Sequence, residues 1–415
     1  MEEKPSPHQE LLPRLFRLEY AKMTAVLCRH FGLQHIETAE DIVSDTFLKA
    51  AEHWSRSGAP PNPTAWLYTV AKNHARDHFK RHSLFETQIK PALGVDGLET
   101  APEVDFTEQT ITDSQLAMIF AVCNPANSTE AQICLALQVL CGFSVEEIAG
   151  AFLSKTETIK KRLARARANL RNDRSGIWPL QAAAIQSRLD TVLRTIYLLF
   201  NEGYASRSAH HLIRKDFCSE AMRLALFLTE NPLTGTPKAN ALLALICYQS
   251  SRLEAREDDA GDAVLFEQQD KSRWSKELIE KGNFYLVEAC SANEISKYHL
   301  EAAIAYWHTT PTDHDKWKHI LQLYNQLVIL EYSPITALNR TFAFAKVHGN
   351  HQAIPEAEKL GLSHLNYYHS LLGFLYTGIS TAKAIRHYQK AIALTRPAAE
   401  KRTLAKEIER LRAQP

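Results

Sequence analysis

Trp66, Thr69, Asn73, Arg76 and Lys80 follow one another at steps of 3, 4, 3 and 4. On a helix they would share one face, with Lys72 and Arg81 flanking it. Single-stranded DNA binding needs that mixture, because cations meet phosphates and a flat side chain stacks on a base or wedges beside parted strands. A solvated cationic helix with a tryptophan at the core edge fits the same spacing.

A second set lies further along. Residues 155–174 hold eight bases (Lys155, Lys160, Lys161, Arg162, Arg165, Arg167, Arg171, Arg174) and only two acids, Glu157 and Asp173. Ser144-Val-Glu-Glu147 reads as a capping box that opens a helix over Val145–Leu153. After a short break a second helix is expected over Thr156–Arg171, with Ile159, Leu163, Ala166 and Leu170 as its buried stripe. Two short helices across a tight turn form a helix-turn-helix, whose second helix enters the major groove of duplex DNA. Its first turns would present Glu157, Thr158, Lys160 and Lys161 to base edges. Arg162, Arg165 and Arg167 are better placed for phosphates.

The elements that position these sets are helical. Apolar residues recur every three or four positions and alternating β-branched runs are nearly absent, so the expected fold class is all-α. Asn62-Pro63 is an N-cap followed by proline at the first helical position, ahead of the Trp66 stripe. Before it, Thr38 and Asp41 read as an N-cap pair for a helix whose apolar stripe is Ala39, Ile42, Val43, Phe47, Ala50 and Trp54. Asp41, Asp45 and Glu52 fall on another face, either solvated or a docking surface for a basic partner.

The whole chain hides these asymmetries. Its 415 residues carry 48 Lys+Arg against 47 Asp+Glu, a formal net charge of +1. The balance is a cancellation: the basic helix is offset by residues 83–130, where eight acids face one base, Lys90. Within that acidic stretch Pro91, Gly94, Gly97 and Pro102 mark a linker. The expected organisation is therefore residues 1–85, an acidic linker over 86–111, a helix-turn-helix domain over 112–175, and a long extension over 176–415.

Other chemistries find little support. His210-His211 and Asp313-His314-Asp315 contain ligand types, but neither has a second half at metal-site spacing, and both read as surface loops. No metal, cofactor or catalytic set is expected. Seven cysteines without a CxxC pair suit a reducing compartment, and Cys134 and Cys141, seven apart in an apolar run, read as buried thiols. The acidic start lacks a signal peptide's basic region and no apolar run is long enough to span a bilayer, so a cytoplasmic protein without a membrane partner is expected.

One site suited to melted DNA and another to duplex DNA, a linker apart, suggest promoter recognition with strand opening. The segments "AEDIVSDTFLKA" and "NPTAWLYTVAKNHARDHFKRH" resemble regions 2.2 through 2.4 of the extracytoplasmic-function (ECF) sigma factors. "GFSVEEIAGAFLSKTETIKKRLARARANLR" resembles region 4 of the same family. The resemblance implies, as partners, core RNA polymerase through its β′ and β subunits, and promoter DNA both duplex and melted. It places Asp41, Asp45 and Phe47 in the segment that docks the β′ coiled coil. Trp66, Lys72, Asn73, Arg76 and Lys80, with Arg81 beside them, fall in the segment that meets the −10 element. Thr158, Lys160, Lys161 and Arg165 fall on the helix that reads the −35 element, with Arg162 and Arg167 alongside. Lys160-Lys161-Arg162 is denser in charge than a reader of mixed bases requires, so the base contacts within the trio stay open.

Residues beyond 175 exceed a minimal factor of this kind. "RLDTVLRTIYLLFNEGYASRS" and "LFEQQDKSRWSKELIEKG" resemble the extension of an ECF subgroup with tetratricopeptide-like helices. Leu372-Gly373, Tyr376, Ala384, Tyr388, Ala391 and Pro397 approximate one such repeat, within 365–412. Glu202-Gly203-Tyr204 reads as a helix stop with glycine just past the end. The extension is expected to be regulatory and to offer a surface for a protein or peptide. Two other readings compete: a stand-alone helix-turn-helix regulator, which has no use for Trp66 or Asp41, and a helical scaffold with no affinity for DNA.

Overall fold

The computed structural model describes residues 7–89, 104–152, 154–172, 182–205, 213–258, 261–310, 315–395 and 397–413, with the side chains of 7–10 and 79–89 set aside. The chain is all-α. Among the described residues extended backbone pairs only once, as an isolated bridge between Glu257 and Ala263. Two compact units form: Met1–Gly150 with Ser154–Thr195, and Ile196–Pro415 with Ala151–Leu153.

The first unit runs α1 (Pro7–Phe31), α2 (Ile36–Ser57), α3 (Pro63–Ile89), α4 (Glu108–Val122), α5 (Thr129–Leu135), α6 (Val145–Ala151), α7 (Thr156–Asn172) and the first part of α8 (Ala182–Tyr204). The stripe expected on α2, Ala39 through Trp54, is buried throughout. The helix nevertheless begins earlier than its capping pattern suggests. A 3-10 turn over Leu33–His35 leads into Ile36, so Thr38 sits inside the first turn and does not cap. Ile36 is fully buried, and that packing draws the start of the helix back. At α3 the local signal holds, since the Ala65 amide donates to Asn62 Oδ1 at 3.0 Å.

The two ends of the expected linker are ordered into helical and packed segments. Helix α3 reaches Ile89 and α4 starts at Glu108, while residues 90–103 lie outside the described residues. Just before α4, Val104 is buried and Phe106 stacks on Tyr68, with ring centroids 4.8 Å apart. Tyr68 Oη donates to Glu19 Oε2 at 2.5 Å, so the end of the linker is tied to α1 through α3. Asp105 accepts from the hydroxyls of Thr107 and Thr110 and fixes the approach to α4. The unit also extends past residue 175: Thr195 on α8 donates to Gln132 Oε1 on α5 at 2.9 Å.

The second unit continues through α9 (Lys215–Glu230), α10 (Pro237–Ser250), α11 (Lys276–Ala289), α12 (Lys297–Thr309), α13 (Lys316–Leu330), α14 (Pro334–His348), α15 (Asn350–Lys359), α16 (Asn366–Tyr376), α17 (Thr381–Leu394) and α18 (Ala398–Ala413). Most consecutive helices from α10 onward pack as antiparallel neighbours joined by short connections. Helix α8 does end at Tyr204, but Gly203 is not the residue past its end. It lies inside α8, and a Cβ there would stand 2.7 Å from Phe217 Cβ and 2.8 Å from the Arg214 carbonyl oxygen, so glycine lets α9 approach. In the α16–α17 hairpin Gly373 makes the same allowance for the Tyr388 ring, between the fully buried Ala384 and Ala391.

Glu301 on α12 accepts a hydrogen bond from Tyr197 Oη at 3.1 Å. Burial, opposed by that bond and by Lys297, raises its carboxyl to about 7. A group whose pKa rises on folding adds stability below its ordinary value of 4.5 and loses it as pH climbs to about 7. Glu301→Gln stays neutral throughout. Its unfolding free energy is expected to gain about 2 kcal/mol on the wild type across that window, read from paired urea melts at the two ends.

Candidate nucleic-acid interface

Three helices of the first unit carry the residues singled out by chemistry. On α3, Asn73 and Arg76 are exposed, and Arg76 Nη2 donates to Asn73 Oδ1 at 3.1 Å. Trp66 is half-buried, seated edge-on against Trp54 at 5.4 Å and beside His53 at 5.7 Å. The buried Trp54 ring braces the indole while part of it faces outward. Lys72 is half-buried, with the Asp105 carboxylate near enough to feel its charge. Lys80 and Arg81 continue the helical backbone, but their side chains lie outside the described residues.

On α2, Asp41 and Asp45 are exposed as expected, and Phe47 is not. Its side chain is 6% exposed and meets Phe16 of α1 at 5.0 Å, so it packs the core and is unavailable to a partner. The apolar residue on the acidic face is Leu48, 59% exposed and seven positions beyond Asp41. The 41-45-48 spacing was the signal for it.

Helices α6 and α7 form the expected pair. The capping box closes both ways, with Ser144 N donating to Glu147 Oε2 at 2.8 Å and Glu147 N to Ser144 Oγ at 3.1 Å. Leu153, in the break, lies outside the described residues. Ile159, Leu163, Ala166 and Leu170 are buried, which leaves Thr158, Lys160, Lys161 and Arg165 exposed. Lys160 Nζ stands 3.3 Å from Glu157 Oε1. Arg162 is half-buried, with Nη1 3.9 Å from Cys134 Sγ.

Arg167 departs from expectation. It is turned away from the exposed face, with its side chain 12% exposed, and grips Glu40 of α2 through both guanidinium nitrogens, the Nη2–Oε1 bond being 2.7 Å. Gln138 Oε1 accepts a third bond at 3.0 Å. One turn further on, Arg171 pairs with Glu37, the next acid of the same helix. Two of the eight bases of the basic run are thus spent on α2, and Arg167 is a clamp between α7 and α2 in this conformation rather than a phosphate contact. Asn169 and Asn127 add a bond of 2.9 Å beside it.

Among the described residues no cluster of His, Cys, Asp or Glu could hold a metal ion, and no helix is long and apolar enough to cross a membrane. His210, His211, Asp313 and His314 lie outside the described residues.

Comparison with known proteins bears on both units. The Sigma-70 region 2 family matches residues 15–85, the span of α1 to α3. The ECF RNA polymerase sigma factor BldN of Streptomyces coelicolor is 32% identical over 144 residues, 33% of this chain and 52% of its own length. RNA polymerase sigma factor YlaC of Bacillus subtilis is 25% identical over 167 residues, 40% of this chain and 93% of YlaC. Together these matches fit an ECF RNA polymerase sigma factor with a long C-terminal extension. Its role is accordingly in transcription initiation. A family of unknown function (DUF6596) matches residues 188–290, starting within α8. An uncharacterised protein of Rhizobium meliloti is 33% identical over 399 residues, covering 94% of this sigma factor and 93% of the relative, so the extended architecture recurs there. No solved structure matches the chain.

Proposed function

We propose that this sigma factor docks core RNA polymerase through the exposed acidic face of α2, with Asp41 and Asp45 around Leu48. Helix α3 then engages the melted −10 element, and α7 reads the duplex −35 element through Thr158, Lys160, Lys161 and Arg165. The single observation that carries this reading is the exposed face of α3. A half-buried indole braced by Trp54 stands on the same helix face as Asn73 and Arg76. Flipping a base out of the stack costs a few kcal/mol, which an indole edge and phosphate contacts can offset. A stand-alone helix-turn-helix regulator leaves that face without a purpose.

The extension is read as a regulatory surface for a protein or peptide. Phe284, Val287 and Ile295 are exposed on and after α11, and Ile329, Leu330 and Tyr332 at the end of α13. The Lys297–Glu331 ion pair, at 2.8 Å, draws the start of α12 to the end of α13 and so brings the second group near Ile295. Exposed apolar patches of this kind support a protein contact.

The −10 assignment is tested by Trp66→Ala in holoenzyme, with 2-aminopurine in the −10 element reporting unstacking. Opening is expected to slow about tenfold or more while binding to closed duplex changes little. Equal loss of both, or of neither, would remove Trp66 from strand opening.

A further inference from the structure

Between α10 and α11 the chain folds back through three 3-10 turns, Leu253–Ala255, Phe266–Gln268 and Lys271–Arg273. This loop lies in the second unit with the end of α12 and the start of α13, and the three segments bring cations and aromatic rings together. The Arg252 guanidinium stands 4.9 Å from the Phe266 ring centroid and 5.9 Å from that of Trp274. Lys271 Nζ is 5.9 Å from the Trp274 ring. Phe266 meets His308 edge-on at 4.8 Å, and His308 meets Trp317 at 5.6 Å.

Lys316 completes the cluster and is the least expected member. It is 9% exposed, and no carboxylate pairs with it among the described residues. Its ammonium pKa is pushed down by burial and then by the charge of Lys271. The same field reaches His308, whose pKa falls to about 3 through burial, then Arg252, then Lys316. The nearby acids are engaged elsewhere. Glu267 pairs with Lys346, Asp270 accepts from Ser272, and Asp315 pairs with Lys318. Three cations therefore converge with no carboxylate paired to them among the described residues, and the buried one, Lys316, runs against ordinary practice for buried charge.

Arg252 Nη2 donates to the neutral Tyr204 hydroxyl at 3.0 Å, while other polar groups of these segments lack a partner. Trp274 Nε1, Gln269 Oε1 and His308 Nδ1 are buried and make no hydrogen bond within the described residues. Trp274 is 7% exposed and Gln269 8%. An indole N–H, an ammonium and a guanidinium are all donors suited to oxyanion oxygens, while the Gln269 oxygen would accept from a neighbouring hydroxyl or amide.

We propose that the cluster of Arg252, Lys271, Lys316 and Trp274 binds the oxyanion group, phosphate or carboxylate, of a small-molecule ligand. The ligand is small because Lys316 and Trp274 are more than nine-tenths buried, out of reach of a broad macromolecular surface. This makes the extension a ligand-binding unit, apart from its role as a protein contact.

The test uses the full chain labelled with 5-fluorotryptophan. Six tryptophans give six resonances, and Trp274→Phe identifies one of them. Inorganic phosphate and acetate are titrated separately against sodium chloride at matched ionic strength. The Trp274 resonance is expected to move saturably with at least one oxyanion and not with chloride; the anion that binds more tightly identifies phosphate or carboxylate as the group recognised. Lys316→Met is expected to weaken that response about tenfold or more with helicity unchanged. Should Lys316→Met lose helicity, Lys271→Gln at an exposed position is expected to show the same weakening. The proposal is overturned if chloride moves Trp274 as far as either oxyanion, if neither oxyanion moves it, or if the folded variant responds like the wild type.

Discussion

Replacing Arg167 with methionine is expected to cost the first unit about 3–4 kcal/mol, because it strands the Glu40 carboxylate in a site where that side chain is only 12% exposed. The pair is bidentate, and Gln138 holds the same guanidinium, so the arginine is fixed against Glu40 from two sides. Burial first, and then the Glu40 charge, raises the pKa values of Tyr20 and Cys28, so neither neighbour can neutralise the carboxylate. Glu40→Met alone is expected to be similarly costly, whereas the double replacement should recover most of the loss, since apolar side chains of similar volume substitute for many buried ion pairs. Hydrogen exchange of the α7 amides reports the change locally, which matters in a chain of two units that need not unfold together. If the double variant is as destabilised as the sum of the two single ones, the pair is not the clamp between α7 and α2.

Removing Lys161 and Arg165 together is expected to weaken holoenzyme binding to a promoter duplex about a hundredfold, at roughly 1–3 kcal/mol for each contact. Both are exposed on α7, four positions apart on one face. The salt dependence separates their roles. Two lost phosphate contacts lower the slope of log K against log salt by about 2 and weaken every sequence alike. A lost base contact leaves the slope nearly unchanged and relaxes preference at one position. Affinity equal to wild type at every salt concentration would remove α7 from the −35 contact.

Much of the first unit was legible because its signals are local. The Asn62-Pro63 start, the Ser144–Glu147 box and the buried stripes of α2 and α7 each depend on residues within one helix, and each formed as spaced. Distance in sequence hid the rest. The Arg167–Glu40 bond joins residues 127 positions apart, so a basic run that suits DNA phosphates could not reveal that one arginine serves α2 instead. Phe47 is aromatic and beside the acids, but periodicity had already placed it on the buried stripe, and the stripe decided. Gly203 misled because glycine near a helix end usually marks a stop, whereas here a crossing helix requires it. The cationic cluster of the second unit draws on residues 252 to 317, each unremarkable in its own segment.

The proposed function requires α2, α3 and α7 to act together with polymerase. The most direct measurement mixes the full chain with core RNA polymerase and a library of promoter fragments, then maps transcript 5′ ends. Initiation from a discrete set of fragments sharing a −35 and a −10 element, lost when α3 carries Trp66→Ala with Arg76→Ala, is the expected result. Transcripts no more specific than those of core polymerase alone would contradict it.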